Sequence, residues 1–388
     1  MAKNIKETLL STLVHGEEIL ENIEVMRKVS PNKITGEIAT KASDAIHPQK
    51  LNLVVSEIIE TDKDAIIIRF AADEDSYLPP FEAGQYINIF TVIDGVRTSR
   101  PYSISSSPKQ RGYYEITVAG IQDGFVSNYF LNEVKIGDKF EANGPAGVFR
   151  FHPVFHSKKS LFLAGGSGIT PFLSMTREII ETAQDRDIVM LYGSRNLASA
   201  LYYDELKAYA DKYDNFKLHL VISDKDDSWT GETGFIDKKL ISKLVPDYAE
   251  RTAYICGPQI MNDFCVSELK GLGLPEKQIR REMFGAKRDI TQEPGWPEEL
   301  TGQETFKITI GDRVIDAKSG ESVLTALERA GERVNVCCRS GECSLCRVQL
   351  ISGNVFLAKG MLRRLADEKF GYIHSCKAYP ISDIEIAK

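Results

Sequence analysis

Five of the seven cysteines, Cys337, Cys338, Cys343, Cys346 and Cys376, fall in the last quarter of the 388-residue chain. Three of them stand as Cys338-Arg-Ser-Gly-Glu-Cys343-Ser-Leu-Cys346, a C-x4-C-x2-C spacing, and Cys376 follows as a fourth thiol. That spacing lets one tight loop present three thiolates to a two-iron cluster while a later strand supplies the last. Gly341 suits a backbone that must wrap closely around inorganic sulfide with its N–H groups turned to sulfur. Structural zinc favours paired C-x2-C knuckles, and one such pair is present. A disulfide framework would use an even number of cysteines in an exported chain, and the start shows no secretory signal. The thiols therefore point to metal ligation, with Cys337 expected to face elsewhere as a small buried neighbour.

A second group of residues carries anion and ring chemistry. Arg100-Pro-Tyr102-Ser103 combines a cation, an aromatic ring and a hydroxyl in a strand-like stretch, where alternate side chains share a face. Downstream, Gly124-Phe-Val-Ser127 stands where a helix could begin, and free N–H groups at such a start attract anions. Ala164-Gly165-Gly166-Ser167-Gly168-Ile-Thr170-Pro171 follows an apolar run and opens a helix, with Pro171 in its first turn, so backbone can approach a pyrophosphate. Cys256-Gly257-Pro258 ends a later apolar run, at the edge where open α/β sheets take ligands. Ser194, Arg195 and Asn196 end another, where a guanidinium could pair with a ribose 2′-phosphate.

The elements that must position these groups follow from changes of period. Residues 1–47 show apolar residues at helical spacing up to Ser30-Pro31, a helical extension that either packs on the body or docks a partner. From residue 48 to 153, short β-branched runs (65–70, 85–92, 113–118) separated by turn signals predict an antiparallel β-barrel. From 154 to 286, apolar strands (160–164, 187–192, 216–223, 252–256) alternate with helical stretches such as 171–183, the pattern of an α/β domain with a parallel sheet. Residues 287–304, with Pro294-Gly295-Trp296-Pro297, read as a linker, and 305–388 as a last compact α+β unit. With 43% hydrophobic and 27% charged residues the composition is that of ordinary globular chains. A net charge of −7 excludes a general nucleic-acid binder, and no apolar run approaches the roughly 18–20 residues of a membrane span.

Residues 305–388 resemble a plant-type ferredoxin, a β-grasp fold, in the Cys338–Cys346 loop and in the His374-Ser-Cys376-Lys-Ala-Tyr ending. One departure is Ser344, where the family commonly has Gly. The preceding motifs, in their order, resemble the ferredoxin–NADP reductase family. The resemblance implies that Arg100 contacts a flavin diphosphate, Tyr102 packs on the isoalloxazine, Ser103 lies near its reactive nitrogen, and Gly124 and Ser127 hold the pyrophosphate. It implies FAD over FMN, NADPH or NADH as co-substrate at Gly165–Pro171, and Cys256, Gly257 and Pro258 bordering the nicotinamide, with Glu282 and Phe284 closing the flavin side. Arg195, with no acidic residue beside it, tips the coenzyme toward NADPH.

The combination is similar to one-component reductases that feed oxygenases and hybrid-cluster proteins. It implies a cytoplasmic NAD(P)H-dependent enzyme that passes hydride to FAD and then single electrons through Cys338, Cys343, Cys346 and Cys376 to a separate acceptor protein. A diaphorase reducing small quinones, and a redox-sensing module without hydride input, are the alternatives. Residues 305–388 hold 13 Lys and Arg against 10 Asp and Glu, a net of +3 that leaves −10 for the remainder. Such a split predicts docking of the cluster unit by charge attraction.

Overall fold

The computed structural model describes residues 21, 48, 50–61, 63–74, 77–224, 229–283, 289–358 and 364–388. Residues up to Pro48 form a unit of their own, in which Glu21 is helical; the expected N-terminal extension otherwise lies outside the described residues. Gln49–Lys388 form the second unit.

That unit begins with a six-stranded antiparallel sheet curled into a half-barrel. Its strands are β1 (Leu51–Glu60), β2 (Ala65–Ala72), β3 (Tyr86–Ile93), β4 (Val96–Ser103), β5 (Tyr114–Ala119) and β6 (Lys139–Ala146), in the order β4-β3-β6-β1-β2-β5. Alternation along β1 buries Leu51, Leu53 and Val55 and turns Asn52 and Ser56 outward, as a one-sided sheet demands. Helix α1 (Phe125–Asn132) inserts Val126 and Phe130 into the mouth of this core. Beyond β4, the Ser105 N–H donates to Glu115 O at 2.7 Å, drawing the two end strands together.

The middle of the chain forms a parallel sheet in the order β10-β9-β8-β7-β11-β12. Its strands are β7 (Lys159–Gly165), β8 (Asp187–Ser194), β9 (Phe216–Ile222), β10 (Glu232–Thr233), β11 (Thr252–Cys256) and β12 (Ile279–Glu282). Continuous burial of Leu161–Ala164 fits a strand covered on both faces. Helices α2 (Thr170–Glu181) and α3 (Tyr203–Lys212) bury one face, and α4 (Lys238–Leu244) and α5 (Gln259–Gly271) the other. Strand order reverses between β7 and β11, whose carboxyl ends lie side by side with Ala164 opposite Cys256. Both loops singled out above leave the sheet at this switch point, where the rule for open α/β sheets puts a ligand.

Residues 290–300 do not hang free. Ile290 and Trp296 are buried against Tyr379 and Ala358, so this segment is part of the last unit's packing. That unit has a five-stranded sheet, β14-β13-β19-β15-β17, formed by β13 (Thr305–Ile310), β14 (Arg313–Lys318), β15 (Arg347–Ser352), β17 (Tyr372–His374) and β19 (Ile384–Ala387). Strands β16 (Val355–Leu357) and β18 (Ala378–Pro380) pair beside it, and α6 (Val323–Arg329) packs Val323, Ala326 and Leu327 on its face.

Two boundaries join these units, and they differ in chemistry. Arg177 on α2 forks onto Glu205 (2.7 and 2.8 Å) and donates to Glu115 Oε1 (2.6 Å) on β5, a carboxylate also held by Arg69. The cluster unit is held differently. Asn88 and Asn143 Nδ2 both donate to Val336 O (3.2 and 3.0 Å), and Phe90 packs with Leu324, Val336, Cys346 and Cys376. Among the described residues no ion pair links 305–388 to the rest of the chain. The described contacts at this boundary are buried hydrogen bonds and apolar packing, and the charges of Arg281 and Arg280 act on Glu342 without an ion pair.

Candidate functional site

A cavity of about 590 Å³ lies where the three units meet. β4 contributes Arg100 and Tyr102, which share a face because strand side chains alternate, together with Ser103. The start of α1 contributes Gly124 and Ser127. Arg100 has no carboxylate partner among the described residues; its NH1 donates to Ser99 O (2.7 Å) and Thr98 Oγ1 (3.0 Å). Burial and the neighbouring Arg339 guanidinium lower its pKa to about 10, with the Glu328 charge opposing them, so it stays charged with no carboxylate in contact. No side chain caps α1, which leaves its first N–H groups for a ligand. A Cβ on Gly124 would fall 2.1 Å from Ser127 Oγ, so only glycine fits there. Among the described residues the buried hydroxyls of Ser103 and Ser127 find no hydrogen-bond partner. A lone guanidinium, an open helix start and two unsatisfied hydroxyls suit a ligand that carries phosphate at one end and ring heteroatoms at the other, as FAD does. Tyr102 meets Phe130 edge-on with centroids 5.7 Å apart, which backs its ring from behind.

The glycine loop after β7 divides its residues between this cavity and a second one of about 950 Å³. Ser167, Gly168, Thr170, Gly257 and Pro258 line the first; Gly165, Gly166, Ser167, Ser194 and Arg195 line the second. A Cβ at Gly168 would approach Cys256 O to 2.4 Å, so the two loops touch backbone to backbone. Pro171 occupies the first turn of α2 as expected. Ser194 Oγ donates to Asn196 O at 3.0 Å, while Asn196 Oδ1 accepts from Ser199 N–H at 2.9 Å, which shapes the turn beneath exposed Arg195. Cys256 is fully buried in the core between β7 and α2 and lines neither cavity. It backs the site instead of facing it, and burial together with Glu282 raises its thiol pKa. Glu282 is buried beside it, with its carboxyl pushed well above the ordinary range by desolvation and by Glu342. Phe284 lies outside the described residues.

Cys376 brings the last unit to the first cavity, whose wall it shares with Leu324 and Arg339. Cys338, Cys346 and Cys376 are buried and Cys343 is half-exposed. The thiols form two contacting pairs, Cys338 with Cys343 and Cys346 with Cys376. Among the described residues no three His, Cys, Asp or Glu side chains converge on a single ion. Two pairs suit a two-iron cluster, in which four thiolates are divided between two metals. The N–H groups of Ser340 and Cys343 point to Cys338 Sγ at 3.4 and 3.3 Å. His374 braces the loop: its Nδ1 meets Gly341 O at 2.8 Å and its Nε2 meets Asp367 at 3.2 Å.

Family models match in the same order: an oxidoreductase FAD-binding domain over residues 52–151, an oxidoreductase NAD-binding domain over 162–267, and a 2Fe-2S iron-sulfur cluster binding domain over 308–380. The glycine betaine monooxygenase reductase subunit of Pseudomonas aeruginosa is 30% identical over 85% of this chain and 93% of its own length. The chain belongs to the ferredoxin–NADP reductase-type flavoproteins that carry a [2Fe-2S] domain. The reductase subunit of stachydrine N-demethylase from Rhizobium meliloti is 27% identical, covering 79% of this chain and 87% of that one. The solved structure of phthalate dioxygenase reductase superposes with a TM-score of 0.65 at 26% identity, over 87% of this chain and 97% of that one. As a member of this reductase family, the chain is an NAD(P)H-dependent oxidoreductase that uses FAD and a [2Fe-2S] cluster for electron transfer.

In this reductase several site residues escape a reading of motifs. Phe235, Phe264 and Ile260 line the larger cavity as exposed apolar side chains, the two rings 6.3 Å apart. Phe235 follows β10 and Ile260 and Phe264 lie on α5, where an apolar residue reads as ordinary core. Leu324 and Arg339 reach the smaller cavity from the far end of the chain, which no local pattern announces. Among the described residues no helix is long and apolar enough to cross a membrane.

Proposed function

We propose that this chain is the electron-supplying component of a two-protein system, taking hydride from NADPH or NADH and delivering electrons singly to a separate acceptor protein in the cytoplasm. One observation carries the reading: the residues of the flavin motif, the glycine loop of the nucleotide lobe and the thiol of Cys376 line a single cavity. When bound, FAD accepts two electrons and releases them one at a time, and the [2Fe-2S] cluster carries one. Arg100 and the open start of α1, with Gly124 and Ser127, hold the flavin diphosphate; Tyr102 covers the ring and Ser103 bonds its edge. Gly165, Gly166, Ser167, Gly168 and Thr170 receive the nicotinamide nucleotide, Gly257 and Pro258 border its ring, and Arg195 with Ser194 faces the ribose phosphate. Cys256 and Glu282, both buried, back the site behind Gly257 and Pro258.

Cys338, Cys343, Cys346 and Cys376 ligate the cluster. Cys376 lines the flavin cavity, whereas half-exposed Cys343 and exposed Leu345 lie at the surface, on the edge that a docking protein would meet. Such an edge serves a docked protein, in keeping with relatives named as reductase subunits. The domains run 48–153 for FAD, 154–286 for the nucleotide and 305–388 for the cluster, with 287–304 between them, of which 290–300 packs with the last. Anaerobic titration of the purified holoenzyme tests the reading. NADPH or NADH is expected to bleach flavin and cluster bands together, and a chain in which neither bleaches has a different function.

A further inference from the structure

The residue after ligand Cys338 is Arg339, with a left-handed backbone (φ 52°) that turns its guanidinium inward toward the flavin lobe. It forks onto Glu328 of α6 through two bonds of 2.7 Å, and its NH1 meets Ser99 Oγ at 3.3 Å. Glu328 Oε2 also accepts from Thr98 Oγ1 at 3.0 Å, across a separation of 230 residues. Thr98 Oγ1 in turn accepts from Arg100 NH1. Glu328, Arg339, Thr98 and Ser99 are all at least nine-tenths buried. A continuous chain of hydrogen bonds thus runs from the cation of the flavin site, through one hydroxyl and one carboxylate, to the residue bonded to a cluster ligand. Every member has its partner, so the chain is stiff.

We infer that Thr98 is a positioning residue whose hydroxyl locks Arg100 and the Cys338 loop into one unit, setting the distance and orientation between flavin and cluster. The inference rests on the function proposed above and adds no chemical step to it. Thr98→Val keeps the β-branched shape but deletes the link, Thr98→Ser keeps the link, and Glu328→Gln weakens it from the other side. In stopped-flow mixing of each holoenzyme with NADPH or NADH, flavin bleaching reports hydride transfer and cluster bleaching reports the next step. Thr98→Val is expected to slow cluster reduction by about tenfold while flavin bleaching stays within about twofold, since small misplacements of reacting groups cost rates of this order. Thr98→Ser is expected to retain the parent rate, and the Thr98→Val/Glu328→Gln double variant to be no slower than the slower single variant, because both cut one chain. Cluster reduction at the parent rate in Thr98→Val, or multiplying effects in the double variant, overturns the inference. Failure of the parent holoenzyme to bleach would instead overturn the proposed function.

Discussion

Ser344 shows how much one side chain can disclose about a loop. It stands where the plant-type family commonly has glycine, and its backbone is left-handed at φ 60° with its hydroxyl buried and without a hydrogen-bond partner. A Cβ in that region costs roughly 1–2 kcal/mol. Ser344→Gly is therefore expected to stabilise the cluster loop by about 1 kcal/mol, seen as a higher guanidinium midpoint for loss of cluster absorbance; an unchanged or lower midpoint would show the strain to be offset elsewhere. His156 offers a titration test. Its Nδ1 accepts from Tyr254 OH at 2.7 Å, and burial, followed by the charges of Arg280, His152, Arg186 and Arg150, lowers its pKa from 6.5 to about 4. The unfolded chain takes up this proton near 6.5 and the folded chain only near 4, so the stability it confers is complete above 6.5 and lost as pH falls toward 4. His156→Gln is expected to flatten the urea midpoint between about pH 6.5 and 4.5 relative to the parent.

At the scale of elements, the pairing of α2 with β5 decides how the nucleotide lobe meets the barrel. Arg177 is largely buried between Glu115 and Glu205, and its charge is one reason why the Glu115 carboxyl is held below its usual range despite burial. Removing one partner of a buried pair costs roughly 3–5 kcal/mol, and Arg69 remains on Glu115 to soften the loss. Arg177→Met should therefore lower stability by about 3 kcal/mol in urea denaturation; a loss below about 1 kcal/mol would mean that the lobes are held mainly by apolar contact. Elements also explain the glycine loop. β7 and β11 are neighbours at the point of strand reversal, so their loops converge, and Gly168 is the residue that lets them touch.

For the whole molecule, the nature of the boundary decides how electrons cross it. The cluster unit carries a net +3 against −10 for the rest, yet its described contacts with the flavin lobe include Tyr86, Asn88, Phe90, Thr98, Ser99, Asn143 and Ala146, none of them charged. Contacts of this kind are hardly screened by salt. Flavin-to-cluster transfer should change less than about twofold between roughly 0.05 and 0.5 M NaCl, because the Debye length matters only to exposed charges. Strong slowing in stopped-flow would restore docking by charge.

The chemistry was legible in the sequence wherever it is local in the chain. The Cys338–Cys346 loop, the glycine loop and the strand carrying Arg100 and Tyr102 each owe their geometry to a few adjacent backbone angles, which residue types and spacing dictate on their own. Cys376, the proposed fourth ligand, could be singled out because its His374-Ser-Cys376-Lys-Ala-Tyr ending resembles the plant-type family. The parallel sheet followed from the alternation of strands and helices, but its strand order, and so the switch point, did not. What spacing could not reveal was which side chains meet across lobes. Cys256 lies behind the site because β11 is a central strand with both faces covered, and a motif cannot say which way a buried side chain turns. Thr98, Glu328 and Arg339 form one network only because three units close on a shared cavity. Such contacts depend on packing between segments more than 200 residues apart, and tertiary structure alone decided them.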